Sequence, residues 1–305
     1  MSLNKKKIES SYKFRKFLYP ISVCITIFFC ISHWGCENKN SSISEINGLP
    51  VINIASLVKR RIKQRSSWST QCLDWSESDI LWQTSGHHEQ SYLLRYNIRN
   101  ETLSSKRVAG IFIEGCTYSH PWLFVLTWQS FVMHVYDTTT LELVKTFSLS
   151  TEGWGLDFSD KGLVYSDGSA TLRWLSNEII IAAISNDDVV SGMLPSLPII
   201  EEKTIYDPSG PVFQLNELEW FEEFLLANVY PGDRVAVIRP ESAQVIAWLE
   251  LGDLRRQELE LQQEHEVGVT NGIAYQSTSK NLLVTGKHWS FIYEVAAKDI
   301  LDMLR

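Results

Sequence analysis

The feature that most constrains this chain is a repeat. Five times an apolar strand ends on an aromatic residue, at Trp75, Tyr118, Phe158, Trp220 and Tyr275, at intervals of 43, 40, 62 and 55 residues. Polar or small residues precede these aromatics: Thr70-Gln71-Cys72, Ile113-Glu114-Gly115, Glu152-Gly153-Trp154, Asn216-Glu217-Leu218 and Asn271-Gly272-Ile273. A turn and a second apolar strand follow each one, at 80–83, 123–128, 163–167, 225–230 and 282–287. Third strands are predicted at 92–98, 131–136, 170–175, 234–238 and 291–295, and fourth strands at 103–108, 143–149, 179–184 and 244–249. Four short strands per period is the pattern of a β-propeller blade. The expectation is therefore an all-β, five-bladed propeller over 51–295, with a β-sandwich as the alternative.

No fourth strand follows residue 295, so the apolar stretch 51–58 is expected to supply it, closing the ring and pairing edges otherwise left open. The basic run 59–65 then reads as a solvated loop. The stretch 185–210, with Pro195, Pro198 and Pro208, reads as a loop on one face. The Glu/Gln-rich stretch 251–268 reads as partly helical, and 296–305 as a short amphipathic helix outside the ring.

The start of the chain has a different character. Lys5, Lys6, Lys7, Lys13, Arg15 and Lys16 precede an apolar run over 17–31, then Gly35-Cys36 and a polar linker over 37–50. Residues 1–36 are expected to be an export signal, of lipoprotein type with Cys36 lipidated, cleaved without lipid, or kept as an anchor. The protein is thus expected to be exported, either periplasmic or attached to the membrane. Net charge is −8 despite that basic start. Such an acidic body excludes nucleic acid as a natural partner but does not repel a substrate bearing a free amine. The body keeps two cysteines, Cys72 and Cys116, without the Cys/His spacing of a zinc site. They read as small buried hydrophobes, with a disulfide as the alternative.

In a propeller the innermost strands converge on one channel. Their ends would gather Gln71, Glu114, Glu152 or Trp154, Asn216 or Glu217, and Asn271, with Trp128, Tyr230 and Lys287 from the second strands. A carboxylate, amides, a lysine and large aromatics suit a small polar ligand with an apolar face. Taken singly, each aromatic reads as packing between blades. His87-His88 reads as a solvated turn, and G-x-S-x-G, H-E-x-x-H and P-loop patterns are missing from the sequence.

The motifs in order, Thr70-Gln71, Ser91-Tyr92-Leu93-Leu94-Arg95, Glu114-Gly115, Leu126-Thr127-Trp128, Glu152-Gly153-Trp154-Gly155-Leu156, Ser166-Asp167-Gly168-Ser169, Asn216-Glu217-Leu218-Glu219-Trp220, Asn271-Gly272-Ile273-Ala274-Tyr275 and Val284-Thr285-Gly286-Lys287, resemble the plant and bacterial glutaminyl-peptide cyclotransferases. The resemblance implies a zinc-independent aminoacyltransferase that turns N-terminal glutamine of peptides or proteins into pyroglutamate. It places Glu114 and Lys287 in catalysis, and Gln71, Trp128, Trp154, Asn216 and Tyr230 around the substrate. It also implies a structural calcium whose ligands the sequence does not place, and a monomer is expected. Two departures stand out: Ser69 replaces an aromatic, with Trp68 a candidate to refill its space, and Tyr230 replaces a tryptophan. They support a second reading, a catalytically impaired propeller that binds N-termini or serves as an extracytoplasmic scaffold. Cys72 and Cys116 also depart from the pattern, which favours a disulfide if their α-carbons come within about 7 Å.

Overall fold

The computed structural model describes residues 43–64, 68–76, 79–98, 102–185, 194–262 and 266–305. All belong to one compact unit, Asn40–Arg305. The export signal with Cys36, and the linker up to residue 42, lie outside the described residues.

The fold is all-β and propeller-like, with its described strands in five sheets. Each sheet begins with one of the predicted aromatic-ended strands: Thr70–Trp75, Ile113–Ser119, Leu156–Ser159, Leu215–Phe221 and Thr270–Gln276. Further strands follow as antiparallel neighbours in chain order. The five initial strands also touch one another in a closed series, the last against the first. Strand alternation explains the layering, because each sheet buries both faces. Five apolar clusters result, one between each adjoining pair of sheets. The repeat aromatics pack across these seams: Tyr118 stacks on Trp82 of the preceding sheet at 6.4 Å, Phe158 on Phe124 at 5.7 Å, and Tyr275 meets Phe221 edge-on at 4.8 Å.

The sequence reading needs correction at four places. The strand expected over 51–58 is divided between two sheets. Leu49–Asn53 runs parallel to Gln244–Glu250 in the fourth sheet, and Val58–Lys63 pairs with Phe291–Ala296 in the fifth. Between them Asn53 ends the first strand by accepting the Ala55 amide at 3.0 Å, which starts the short 3₁₀ turn Ile54–Leu57. Residues 59–63 of the basic run read as a loop therefore belong to the closing strand. Arg60 binds Glu294 at 2.6 Å and Arg61 lies 5.6 Å from the Tyr293 ring, so long cationic side chains cover an outer edge.

The third sheet holds the second correction. Residues 179–184, expected as its fourth strand, lie in helix α1, Asn177–Ser185, where Ser176 Oγ accepts the Ile179 amide and Glu178 occupies the first turn. The outer strand is instead Ile199–Thr204, paired with Thr171–Leu175, so part of the predicted face loop is sheet. The third concerns the linker: Ile43–Ile46 pairs with Leu49–Asn53, which makes 43–50 part of the fourth sheet. The fourth concerns the cysteines: Cys72 and Cys116 form a disulfide, with α-carbons 5.6 Å apart, joining the initial strands of the first two sheets. Helix α2, Gly252–Leu261, lies in the stretch read as partly helical, and α3, Ala297–Leu304, buries Ile300 and Leu301.

Candidate functional site

The repeat prepares a particular geometry at the start of each initial strand. In four of the five sheets the ladder register shifts at the polar position: between Thr70 and Cys72, Ile113 and Cys116, Leu215 and Leu218, and Thr270 and Ile273. A bulge of this kind leaves residues unpaired and re-aims their side chains. Gln71, Glu114, Asn216 and Asn271 are the residues so released. Close backbone approach completes the arrangement. The Gly115 amide donates to the Trp154 carbonyl at 2.8 Å, and a Cβ on Gly115 would sit 2.6 Å from that same oxygen. Only glycine lets the second and third sheets meet this closely beside Glu114.

A cavity of about 280 Å³ opens here, lined by His88, Phe112, Glu114, Trp128, Trp154, Asn216, Tyr230 and Lys287. Six of the seven predicted site residues are among them. Two aromatic walls face the space. His88, Phe112 and Trp128 form one, with ring centres 5.3–5.5 Å apart, and Trp154 with Tyr230 forms the other, edge to face at 6.0 Å. Glu152 accepts the Trp154 indole N–H at 3.2 Å and fixes that ring. The Lys287 ammonium lies 5.5 Å from the centre of the Tyr230 ring.

Glu114 is only 7% exposed. Burial pushes its carboxyl up to about 8, against the pull of Lys287 and with a small push from Glu152. The same burial lowers the Lys287 ammonium, which Glu114 partly offsets. Asn216 is also buried, and its Oδ1 has no partner among the described residues.

Gln71 departs from expectation. It does not line the cavity; it is fully buried and accepts from Asn271 Nδ2 at 3.2 Å. Trp68 is not among the residues lining the cavity, and its ring packs on Tyr92 at 5.3 Å. The ring beside Phe112 and Trp128 is His88, which sequence reasoning had placed in a solvated turn. Phe112 was also missed, although its position two residues before Glu114 was a usable signal.

A second set of buried carboxylates lies on the initial strands. Asp74, Asp157 and Glu219 each stand one residue before a repeat aromatic, and each accepts the backbone N–H of the aromatic in the next sheet: Tyr118, Trp220 and Tyr275. Glu217 accepts the Leu73 amide at 3.4 Å. Burial raises Asp74 to about 6 and Asp157 to about 7, and holds Glu217 and Glu219 well above the usual carboxylate range. Their hard oxygen donors are of the kind calcium takes. Backbone amides take at least one oxygen of each, but Glu217 Oε2 is buried with no partner among the described residues, and among those residues no group of three His, Cys, Asp or Glu side chains is set to hold an ion.

The sequence profile of glutamine cyclotransferases matches residues 31–186 and 197–297. The chain belongs to the glutamine cyclotransferase family. It is 30% identical over 283 residues to the glutaminyl-peptide cyclotransferase of Arabidopsis thaliana, covering 91% of this chain and 81% of that protein. The crystal structure of Myxococcus xanthus glutaminyl cyclase has a similar fold, with a TM-score of 0.67 at 24% identity, covering 78% of this chain and 94% of that one. Family membership supports a cyclotransferase acting on peptides or proteins with N-terminal glutamine.

Proposed function

We propose that this protein is an exported glutaminyl-peptide cyclotransferase, built on a five-bladed propeller, that converts N-terminal glutamine to pyroglutamate and ammonia by acid/base catalysis at Glu114. The observation that carries this reading is a buried carboxyl, Glu114, sharing a cavity with Asn216, a lysine and two aromatic walls, with burial pushing its pKa up to about 8. A free α-amino group titrates at about 7.7–8.0, so donor and acceptor are matched. Glu114 takes the proton that masks the α-amine, and the amine nitrogen bonds to the side-chain carboxamide carbon. As the bond from that carbon to the amide nitrogen breaks, Glu114 returns a proton to the departing ammonia. The remaining proton of the attacking nitrogen leaves with it, so one ammonium enters and one departs.

Lys287 donates to the developing oxyanion in this scheme, and the Asn216 side chain holds the substrate by a hydrogen bond. The aromatic walls hold the flexible side chain folded for attack. No step is routed through a metal. Export rests on the leader read in the sequence, and the Cys72–Cys116 disulfide is of the kind that persists in an oxidising compartment.

The test is ammonia release from Gln-initiated dipeptides, with Glu114→Gln as control and with a chelator added in parallel. Activity in the native protein, unaffected by chelator and lost in the variant, is expected. Undiminished turnover by the variant would remove Glu114 from its role.

A further inference from the structure

The cavity holding the reacting glutamine is too small for a peptide, so the chain must leave across its rim. At that rim a second concavity of about 520 Å³ is lined by Val229, Tyr230, Pro231, Gly232, Asp233, Arg234, Trp248 and Glu250. Tyr230 belongs to both cavities, and its side chain is 40% exposed. One aromatic ring therefore borders both spaces.

The groove has a defined shape. Its edge is the turn between Phe224–Val229 and Arg234–Arg239, and this turn is pinned from several sides. The Gly232 amide donates to Val229 O at 2.9 Å, Thr270 Oγ1 donates to Gly232 O at 3.2 Å, and Leu251 N donates to Asp233 O at 2.8 Å. Arg255 of α2 braces Asp233 at 3.2 Å. On the far side Arg234 pairs with Glu250 at 2.9 Å, which leaves the charged rim balanced. Trp248 and Pro231 supply apolar surface between these edges. A preformed wall loses little freedom when a flexible chain settles on it.

We propose that this groove is the subsite for the residues following the glutamine, and that it selects peptides of three or more residues with an apolar side chain at the second or third position. The inference rests on the cyclotransferase reading above. An extended residue advances at most about 3.6 Å, so a chain leaving over the Tyr230 ring presents its second and third residues to the groove. The balanced Arg234–Glu250 rim gives no reason to prefer a charged residue there, while Trp248 gives one to prefer an apolar residue.

The experiment measures kcat and KM for glutaminamide, Gln-Gly-Gly-amide, Gln-Leu-Gly-amide and Gln-Gly-Leu-amide. At least one leucine peptide should exceed glutaminamide about tenfold or more in kcat/KM, chiefly through a lower KM. Trp248→Leu should bring that ratio close to that of the glycine peptide. Arg234→Ala, at an exposed position that does not endanger folding, should reduce it by a smaller factor. Equal kcat/KM across the series, or an advantage that survives both substitutions, overturns the subsite while leaving cyclisation intact. If no compound releases ammonia, the cyclotransferase reading fails instead. Calorimetric affinities of the leucine peptides against glutaminamide then decide the groove by the same criterion.

Discussion

Two regions of this molecule bury carboxyl groups with raised pKa values, and they differ in what surrounds the oxygens. Asp157 accepts the Trp220 amide at 2.5 Å, the Phe158 amide at 2.6 Å and the Thr117 hydroxyl at 3.1 Å. With Asp74 and Glu219 it links one sheet to the backbone of the next. Glu114 lies at the cavity, among aromatic rings and beside a lysine. A raised pKa alone thus does not distinguish a structural carboxyl from a reactive one. Access to a ligand, together with neighbours left free to bind it, does.

Substitutions at these two places should separate activity from stability. Glu114→Gln should lower kcat for a Gln-initiated peptide by about 10²–10⁴-fold, the usual worth of a general acid/base, with little change in melting temperature. Asp157→Ala should do the reverse. It strands three buried donors, costs several kcal/mol in denaturant unfolding, and leaves kcat of the folded fraction near the native value. A large activity loss for Asp157→Ala without destabilisation would erase the contrast.

The disulfide gives the next largest expected effect on stability. Cys72 and Cys116 are 44 residues apart, so Cys72→Ser with Cys116→Ser should destabilise by about 4 kcal/mol on the chain-entropy model. Unfolding in urea with and without reductant measures it.

The linking carboxyls also predict how stability varies with pH. Folding raises Asp74 from 3.8 to about 6 and Asp157 from 3.8 to about 7, so the folded state holds these protons more tightly than the unfolded chain. Their contribution is fully present below about pH 4 and is lost as pH rises through 6 and 7. Melting temperature should be higher at pH 5 than at pH 8. A melting temperature that instead rises toward pH 8 would mean that these groups fold as charged carboxylates.

The smallest effect concerns the cavity wall. His88→Ala should raise KM a few-fold with kcat nearly unchanged, and His88→Phe should restore KM, because the ring closes the wall against Phe112 and Trp128. A fall in kcat with KM unchanged would give His88 a part in the chemistry.

Much of the fold was legible because the repeat signals are local. An aromatic at the end of each initial strand marks a seam between sheets, and the polar residue a few positions earlier marks a bulge. Glu114 could be picked out on that basis and Lys287 from the end of a second strand, while the choice of Trp154 over Glu152 and of Asn216 over Glu217 came from the family resemblance. Elements without a periodic signal were less legible. The run Ile179-Ile180-Ile181 has strand-like residues, yet Ser176 and Glu178 cap it as a helix once Ile199–Thr204 occupies the sheet edge. Residues 59–63 looked solvated because an outer strand needs apolar contact on few of its positions.

The sequence by itself determined the repeat, the all-β character and the residue types at the channel mouth, since these depend on alternation and spacing within tens of residues. Tertiary structure alone decided that His88 joins the aromatic wall, that Gln71 is withdrawn from the cavity, and that Cys72 meets Cys116. It also assigned Asp74, Asp157 and Glu219 to backbone amides of the next sheet while leaving Glu114 at the cavity. Those outcomes depend on which residues of different sheets are brought within a few ångströms, and on how much water is removed around them.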